Sequence, residues 1–173
     1  MKGFTRCVRF LIVNGIGGFL LGRLLPKTWF RGDAFPYRCF AFEQDGKIYA
    51  RLKVRHWQKR VPDMSRIFPW IMPKKAITGA VAGQLPRMIQ ETCVAECIHA
   101  LVSLTGLYCI RLWPGTGGIT MAVIHFLLFN LPYIIIQRYN RPRLMGLAAR
   151  LEGKEGIKAE GRADWKQEGP LPA

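Results

Sequence analysis

Glu96 and His99 stand three positions apart in an otherwise apolar stretch, and Ser103 continues the same helical face. Residues three and four apart are neighbours on a helix surface. A histidine there can take the proton from a hydroxyl as that hydroxyl attacks an acyl carbonyl. A carboxylate one turn away can orient the imidazole and stabilise its charged form. Ionisable groups at bilayer depth are costly, so by default they mark a functional site. Further on, Asn130 and Gln137 share a face and lead into the basic block Gln137-Arg138-Tyr139-Asn140-Arg141-Pro142-Arg143. Its guanidiniums suit the phosphate of an acyl donor or of a lipid. The pattern thus gathers a carboxylate, an imidazole, an amide and three arginines. A plainer alternative has no chemistry in it. The Glu–His pair would satisfy two polar groups between helices, and the basic block would flank a span. His125 and His56 read as structural. No metal site or cofactor is expected. Glu96-Cys97-Ile98-His99 lacks the second histidine of an HExxH site, and the five cysteines (Cys7, Cys39, Cys93, Cys97, Cys109) contain no CxxC pair.

The elements that must position these groups are two long apolar runs. Val94–Trp113 has 20 residues and Ile119–Gln137 has 19. At about 1.5 Å per residue, each makes a helix of about 30 Å, the thickness of a bilayer's hydrocarbon core. The turn between them carries Pro114, Gly115, Gly117 and Gly118, which neither helix can run through. A transmembrane hairpin follows, with helices at 86–113 and 119–144. Antiparallel packing brings Asn130 and Gln137 to the level of Glu96 and His99. Pro132 has no N–H, so a kink is expected beside Asn130.

The rest of the chain reads as support. Residues 8–25 form an N-terminal anchor helix behind Lys2, Arg6 and Arg9, with no small-residue cleavage site after the apolar run. Residues 26–38 are basic and aromatic, suited to the headgroup level. In 39–57, Ile48, Ala50, Leu52 and Val54 alternate with Tyr49, Arg51, Lys53 and Arg55 after Asp45-Gly46, the pattern of a small β-hairpin. Four prolines in 58–92 point to an interfacial or re-entrant segment. Residues 151–173 read as a charged, disordered tail. The fold class is therefore mainly α and integral to the membrane, one domain over 1–150.

The 173 residues carry a net charge of +15, and mean hydropathy is only +0.08 although half the residues are apolar. Charged and apolar runs are thus segregated. No nucleic-acid module is legible, and cations bordering apolar spans face anionic lipid instead. The loop 26–92 holds 13 Lys/Arg, the segment 138–173 holds 8, and the hairpin turn none. The expected arrangement is multi-pass in the cell membrane, with loop 26–92 and the C-terminal tail cytoplasmic.

Three stretches carry a more specific signal. The run Gln137 to Leu144, with Asn130 and Pro132 before it, is the strongest. Glu91-Thr92, Ala95-Glu96 and Ile98-His99 form the second, and Val54-Arg55, Trp57 and Asp63 the third, with Phe40, Phe42-Glu43 and Gly46-Lys47 alongside. Over residues 26–150 the chain resembles the glycosyl-4,4'-diaponeurosporenoate acyltransferase family, enzymes that complete staphyloxanthin-type carotenoids. The resemblance implies a small membrane enzyme that esterifies the 6-hydroxyl of a glucose on a C30 carotenoid acid with a fatty acyl group. It implies a bilayer, a fatty acyl donor (acyl-CoA, acyl carrier protein or phospholipid) and a glycosylated lipid or carotenoid acceptor as partners. On this reading His99 is the catalytic base and Glu96 its orienter. Arg55, Trp57, Asn130, Gln137, Arg138, Tyr139, Asn140, Arg141 and Arg143 are the candidate substrate-binding residues. The alternatives are an acyltransferase for another glycolipid, or a non-catalytic membrane protein that binds anionic lipid through its basic loops.

Overall fold

The computed structural model describes residues 2–61 and 81–167. The chain begins with α1 (Lys2–Leu24). Short helices α2 (Lys47–Arg51) and α3 (Val54–Trp57) follow. Next come α4 (Val81–Gly106) and α5 (Cys109–Leu112). The chain then turns back into α6 (Thr116–Phe129) and α7 (Leu131–Gln167). Among the described residues, three segments are long and apolar enough to cross a membrane: Lys2–Leu24, Gly83–Leu112 and Thr116–Gly153. Their outer faces are bare hydrocarbon. Ile12, Val13, Ile16 and Leu20 on α1, and Val123, Leu127, Leu128 and Phe129 on α6, are all exposed. In water such faces would be costly, whereas lipid accepts them.

The first apolar segment is a longer helix than its sequence predicted. It starts at Lys2 because the first turns also have something to pack on. Cys7 is fully buried, its thiol donating to the carbonyl of Cys109 at 3.6 Å. Phe4 meets Trp113 edge-on at 6.4 Å, and Phe10 lies 5.3 Å from Tyr108. These contacts place the N-terminus beside the hairpin turn, with the basic segments at the opposite end.

Two glycines on α1 allow the backbones of α1 and α4 to approach. A Cβ at Gly18 would fall 2.4 Å from Val102 Cγ2, and one at Gly22 would fall 3.1 Å from Ile98 Cγ1. Small residues make such close seams between membrane helices, where van der Waals packing rather than the hydrophobic effect drives association. Asn14 adds a polar tie, donating to the Val102 carbonyl at 3.0 Å and accepting from Thr105 Oγ1 at 2.8 Å. Behind the seam, Val94, Ile98 and Val102 pack with Cys93 and Phe30.

The structure corrects the β-hairpin. No strand occurs among the described residues. Residues 41–46 form a 3₁₀ turn, in which Gln44 (φ 49°) and Asp45 (φ 54°) are left-handed, followed by Gly46 (φ 85°). The chain reverses there and enters α2 instead of a second strand. The alternation misled because the buried pair is Tyr49 and Val54, while Leu52 is exposed. Positions five apart do not share one face of a strand. A two-stranded sheet has little to hold it in isolation, whereas Tyr49 and Val54 pack on Tyr139 of α7.

Other boundaries shift as well. Helix α4 starts at Val81, ahead of Pro86, and the long run breaks at Leu107 and Tyr108 before α5. Helix α7 extends to Gln167, so residues 151–167 are helical where a structureless tail was expected. That stretch carries three Glu, three Lys and two Ala, good helix formers, against three glycines. The interfacial or re-entrant segment expected in 58–92 falls mostly in residues 62–80, outside the described residues. The kink expected beside Asn130 is present: α6 stops at Phe129, and Asn130 has φ −127° and ψ −49°.

The α1–α4 seam predicts a contrast between two glycines. Gly18→Leu should lower the thermal midpoint in detergent, a loss of about 1–3 kcal/mol from overpacking. Gly15→Leu, with open space around it, should leave the midpoint unchanged. Equal effects would refute the seam.

Candidate functional site

At the basic end of the molecule, α7 turns Arg138 and Arg141 toward α4 and toward the 3₁₀ turn. Arg138 clamps Glu43 with two parallel bonds, Nε to Oε1 at 2.5 Å and Nη2 to Oε2 at 2.7 Å. Its Nη1 donates to Glu96 Oε1 at 2.5 Å. The remaining N–H groups donate to the carbonyls of Pro36 at 3.3 Å and Arg38 at 3.2 Å. Arg141 donates to Glu96 Oε2, to Thr92 Oγ1 at 3.0 Å, and to the carbonyls of Tyr37 at 2.6 Å and Thr92 at 3.2 Å. Tyr49 OH and the Phe40 N–H complete the shell of Glu43. The rings of Phe40 and Tyr37 lie 4.7 and 5.3 Å from the two guanidiniums.

This is a closed network of two carboxylates and two guanidiniums, with Glu43 at 0 % and Arg141 at 2 % exposure. Buried charges are tolerated only when paired and hydrogen-bonded, and here the formal charges cancel. Burial pushes the Glu43 carboxyl upward, but hydrogen bonds from Arg138, Tyr49 and the Phe40 N–H outweigh it and hold the group below the ordinary carboxylate range. Burial, with the Glu43 carboxylate beside it, pushes the Tyr49 phenol well above its usual range.

The network changes the sequence picture. Both oxygens of Glu96 are taken by arginines, and among the described residues no hydrogen bond joins Glu96 to His99. Arg138 has all five N–H groups engaged within the protein. Arg138 and Arg141 therefore join α7 to α4 and to the polar segment, and do not stand open to a donor phosphate.

One turn deeper lies a second polar cluster. His99 Nδ1 is 3.0 Å from Asn130 Oδ1, and its ring stacks on Tyr133 at 4.5 Å and 8°. Asn130 Nδ2 donates to the His125 carbonyl at 3.0 Å and lies 3.3 Å from His125 Nε2. Gly106 makes room for the His125 imidazole, because a Cβ there would sit 2.5 Å from Nδ1. Ser103 Oγ donates to the His99 carbonyl at 2.6 Å and is thereby spent on the backbone. His99 is half-buried, and among the described residues its Nε2 makes no hydrogen bond.

The other predicted residues line the basic end. Tyr139 is buried and accepts from Arg143, whose guanidinium also lies over its ring at 4.8 Å. Trp57 packs against the Tyr49–Val54–Tyr139 cluster and donates to the Leu52 carbonyl at 3.1 Å. Arg55 and Arg143 are exposed, and Gln137 and Asn140 half-buried. The structure thus brings His99 together with Asn130, and Glu96 with Arg138 and Arg141. It places Arg55 apart from both clusters' hydrogen bonds. Glu43, Tyr49, Thr92, His125 and Tyr133 had no assigned role from spacing. Only the stretches around Glu43 and Thr92 had offered a signal.

The family model described as glycosyl-4,4'-diaponeurosporenoate acyltransferase matches residues 26–150. A curated protein of that name from Staphylococcus aureus strain Newman is 30 % identical over 149 residues, 86 % of this chain and 89 % of the relative. The proteins of that name from strains USA300 and NCTC 8325 are each 30 % identical over 142 residues, 82 % of this chain and 85 % of the relative. No solved structure matches the chain.

The buried network predicts a pH-dependent cost. Glu43→Gln should destabilise the protein in detergent by about 3–5 kcal/mol at neutral pH, because it leaves Arg138 buried without its carboxylate. The folded-state value of Glu43 is depressed, so its contribution is complete above the unfolded carboxylate value and is lost as pH falls through the folded one. The gap between wild type and Glu43→Gln should therefore close on acidification. A gap independent of pH would overturn the assignment.

Proposed function

The chain belongs to the glycosyl-4,4'-diaponeurosporenoate acyltransferase family and is an acyltransferase; from that premise we propose that it esterifies a sugar hydroxyl of a glycosylated carotenoid acid with a fatty acyl group. That reaction is the last step of a staphyloxanthin-type pathway. The observation that carries this reading is His99. It is half-buried among apolar spans, held at Nδ1 by Asn130, with no hydrogen bond at Nε2 among the described residues.

His99 Nε2 takes the proton of the sugar hydroxyl as its oxygen attacks the acyl carbonyl. The tetrahedral intermediate collapses, the bond to the donor's sulfur or oxygen breaks, and His99 returns the proton to that leaving group. Glu96 acts at one remove, keeping α4 and α7 in register through Arg138 and Arg141. The exposed Arg55 and Arg143, with Gln137 and Asn140, are the groups left to meet an anionic donor. Acyl-CoA, acyl carrier protein and phospholipid all present phosphate to such a face.

The protein on this reading is a multi-pass protein of the cell membrane. The basic segments around 26–60 and 138–150 share one end of the spans, and the excess of Lys and Arg there favours the cytoplasmic side. An amphiphilic acceptor suits a base that sits one turn below that face. The polyene lies along the spans and the sugar rises toward the polar end.

Membranes containing the protein, a glucosylated C30 carotenoid acid and a labelled fatty acyl-CoA should yield the acylated product by mass spectrometry. His99→Ala, at equal protein level in the membrane, should lose at least about a hundredfold in rate. Undiminished product from His99→Ala would remove His99 from the chemistry. Product from a phospholipid donor but not from acyl-CoA would reassign the donor, and product from neither would sink this acceptor–donor pairing.

A further inference from the structure

Asn130 is 2 % exposed and sits in the break between α6 and α7. Its amide faces two groups of different kinds, and one of them settles which way round it lies. The His125 carbonyl can only accept, so the atom 3.0 Å from it must be the amide nitrogen. With the nitrogen committed there, the amide oxygen is the atom 3.0 Å from His99 Nδ1. An amide oxygen can only accept, so Nδ1 must carry a proton. In a neutral imidazole the lone pair is then on Nε2.

We infer that Asn130 is a positioning residue that holds His99 in its Nδ1–H tautomer and so presents Nε2 as the basic atom. The inference rests on the reading of His99 as the base. The opposite tautomer, which free histidine favours, would bury the lone pair against Asn130 and turn an N–H toward the substrate, leaving no base. An amide is also the suitable orienter at this depth, since it fixes the ring without adding a charge.

The surroundings fit that role from each element that packs here. On α4, Glu96 is neutralised by Arg138 and Arg141. On α7, Tyr133 stacks flat on the ring and limits its rotation. On α6, His125 supplies the carbonyl that orients the amide, and its ring fits only because residue 106 is glycine. The helix break is what makes the geometry available. Asn130 departs from helical torsion, and its side chain then reaches α4 on one side and the end of α6 on the other.

The test reads the tautomer directly. The full-length protein, labelled with ¹⁵N-histidine and held in phosphatidylglycerol nanodiscs, is measured by solid-state NMR. With only three histidines in the chain, the His99 signals are assigned by their loss in His99→Ala. Wild type should show His99 protonated at Nδ1 and bare at Nε2. Asn130→Ala should shift His99 toward the Nε2–H form, with kcat down about a hundredfold and KM within about twofold. An Nε2–H signal from wild-type His99 overturns the inference, as does a tautomer unchanged in folded Asn130→Ala. Because the tautomer is read without turnover, this failure is distinct from an active His99→Ala enzyme, which would instead overturn the base assignment.

Discussion

Everything at the polar end of this protein depends on one electrostatic constraint, the mutual neutralisation of Glu43, Arg138, Glu96 and Arg141. Each of these charges would be costly to bury singly, and each is made acceptable by the others. They come from three separate parts of the chain, so the network also serves as a tertiary joint. It holds the segment between the first and second spans against α7, and it holds α7 against α4 one turn from His99. The aromatic rings of Phe40 and Tyr37 cap the guanidiniums and keep water away from them. The result is a rigid frame around a site whose own polar groups are few.

The two polar layers divide the work. The outer layer is a set of hydrogen-bonded ion pairs, and its job is register. The inner layer is an amide between two imidazoles, and among the described residues His99 Nε2 has no hydrogen bond there. Placing the charges outside and the amide inside leaves the imidazole free of any unpaired field. This order follows from cost, because a neutral hydrogen-bonded pair is cheaper at depth than an ion pair and perturbs the imidazole less.

The spans were legible in the sequence because hydrocarbon thickness fixes their length and glycine and proline mark their ends. The site was half legible. Glu96, His99, Asn130 and the arginines could all be placed at one level, since helix rise and antiparallel packing determine that. What could not be read was who pairs with whom. Glu96 is three residues from His99, and helical spacing alone favours that pair. The arginines on the facing helix compete for the same carboxylate and win, each through a charge-assisted bond to a different oxygen. Nor was Glu43 readable, since its partner Arg138 lies 95 residues away on α7. Residues 39–57 show the limit of periodicity. Their alternation is real, but burial there is decided by packing on Tyr139 of α7, which the local pattern does not contain.

The break at Asn130 sets a bound on how far this protein could be improved by engineering. Joining α6 to α7 as one continuous helix, with alanine at position 130 and a donor in place of Pro132, would restore a backbone bond and remove the break. By every local measure the redesigned chain would be the sturdier molecule. It would also remove the amide that faces His99 and the His125 carbonyl. On the role proposed for Asn130, thermostability and reactivity are set against each other at a single residue, and a screen that selected for heat resistance alone would drift toward a durable, inert membrane protein.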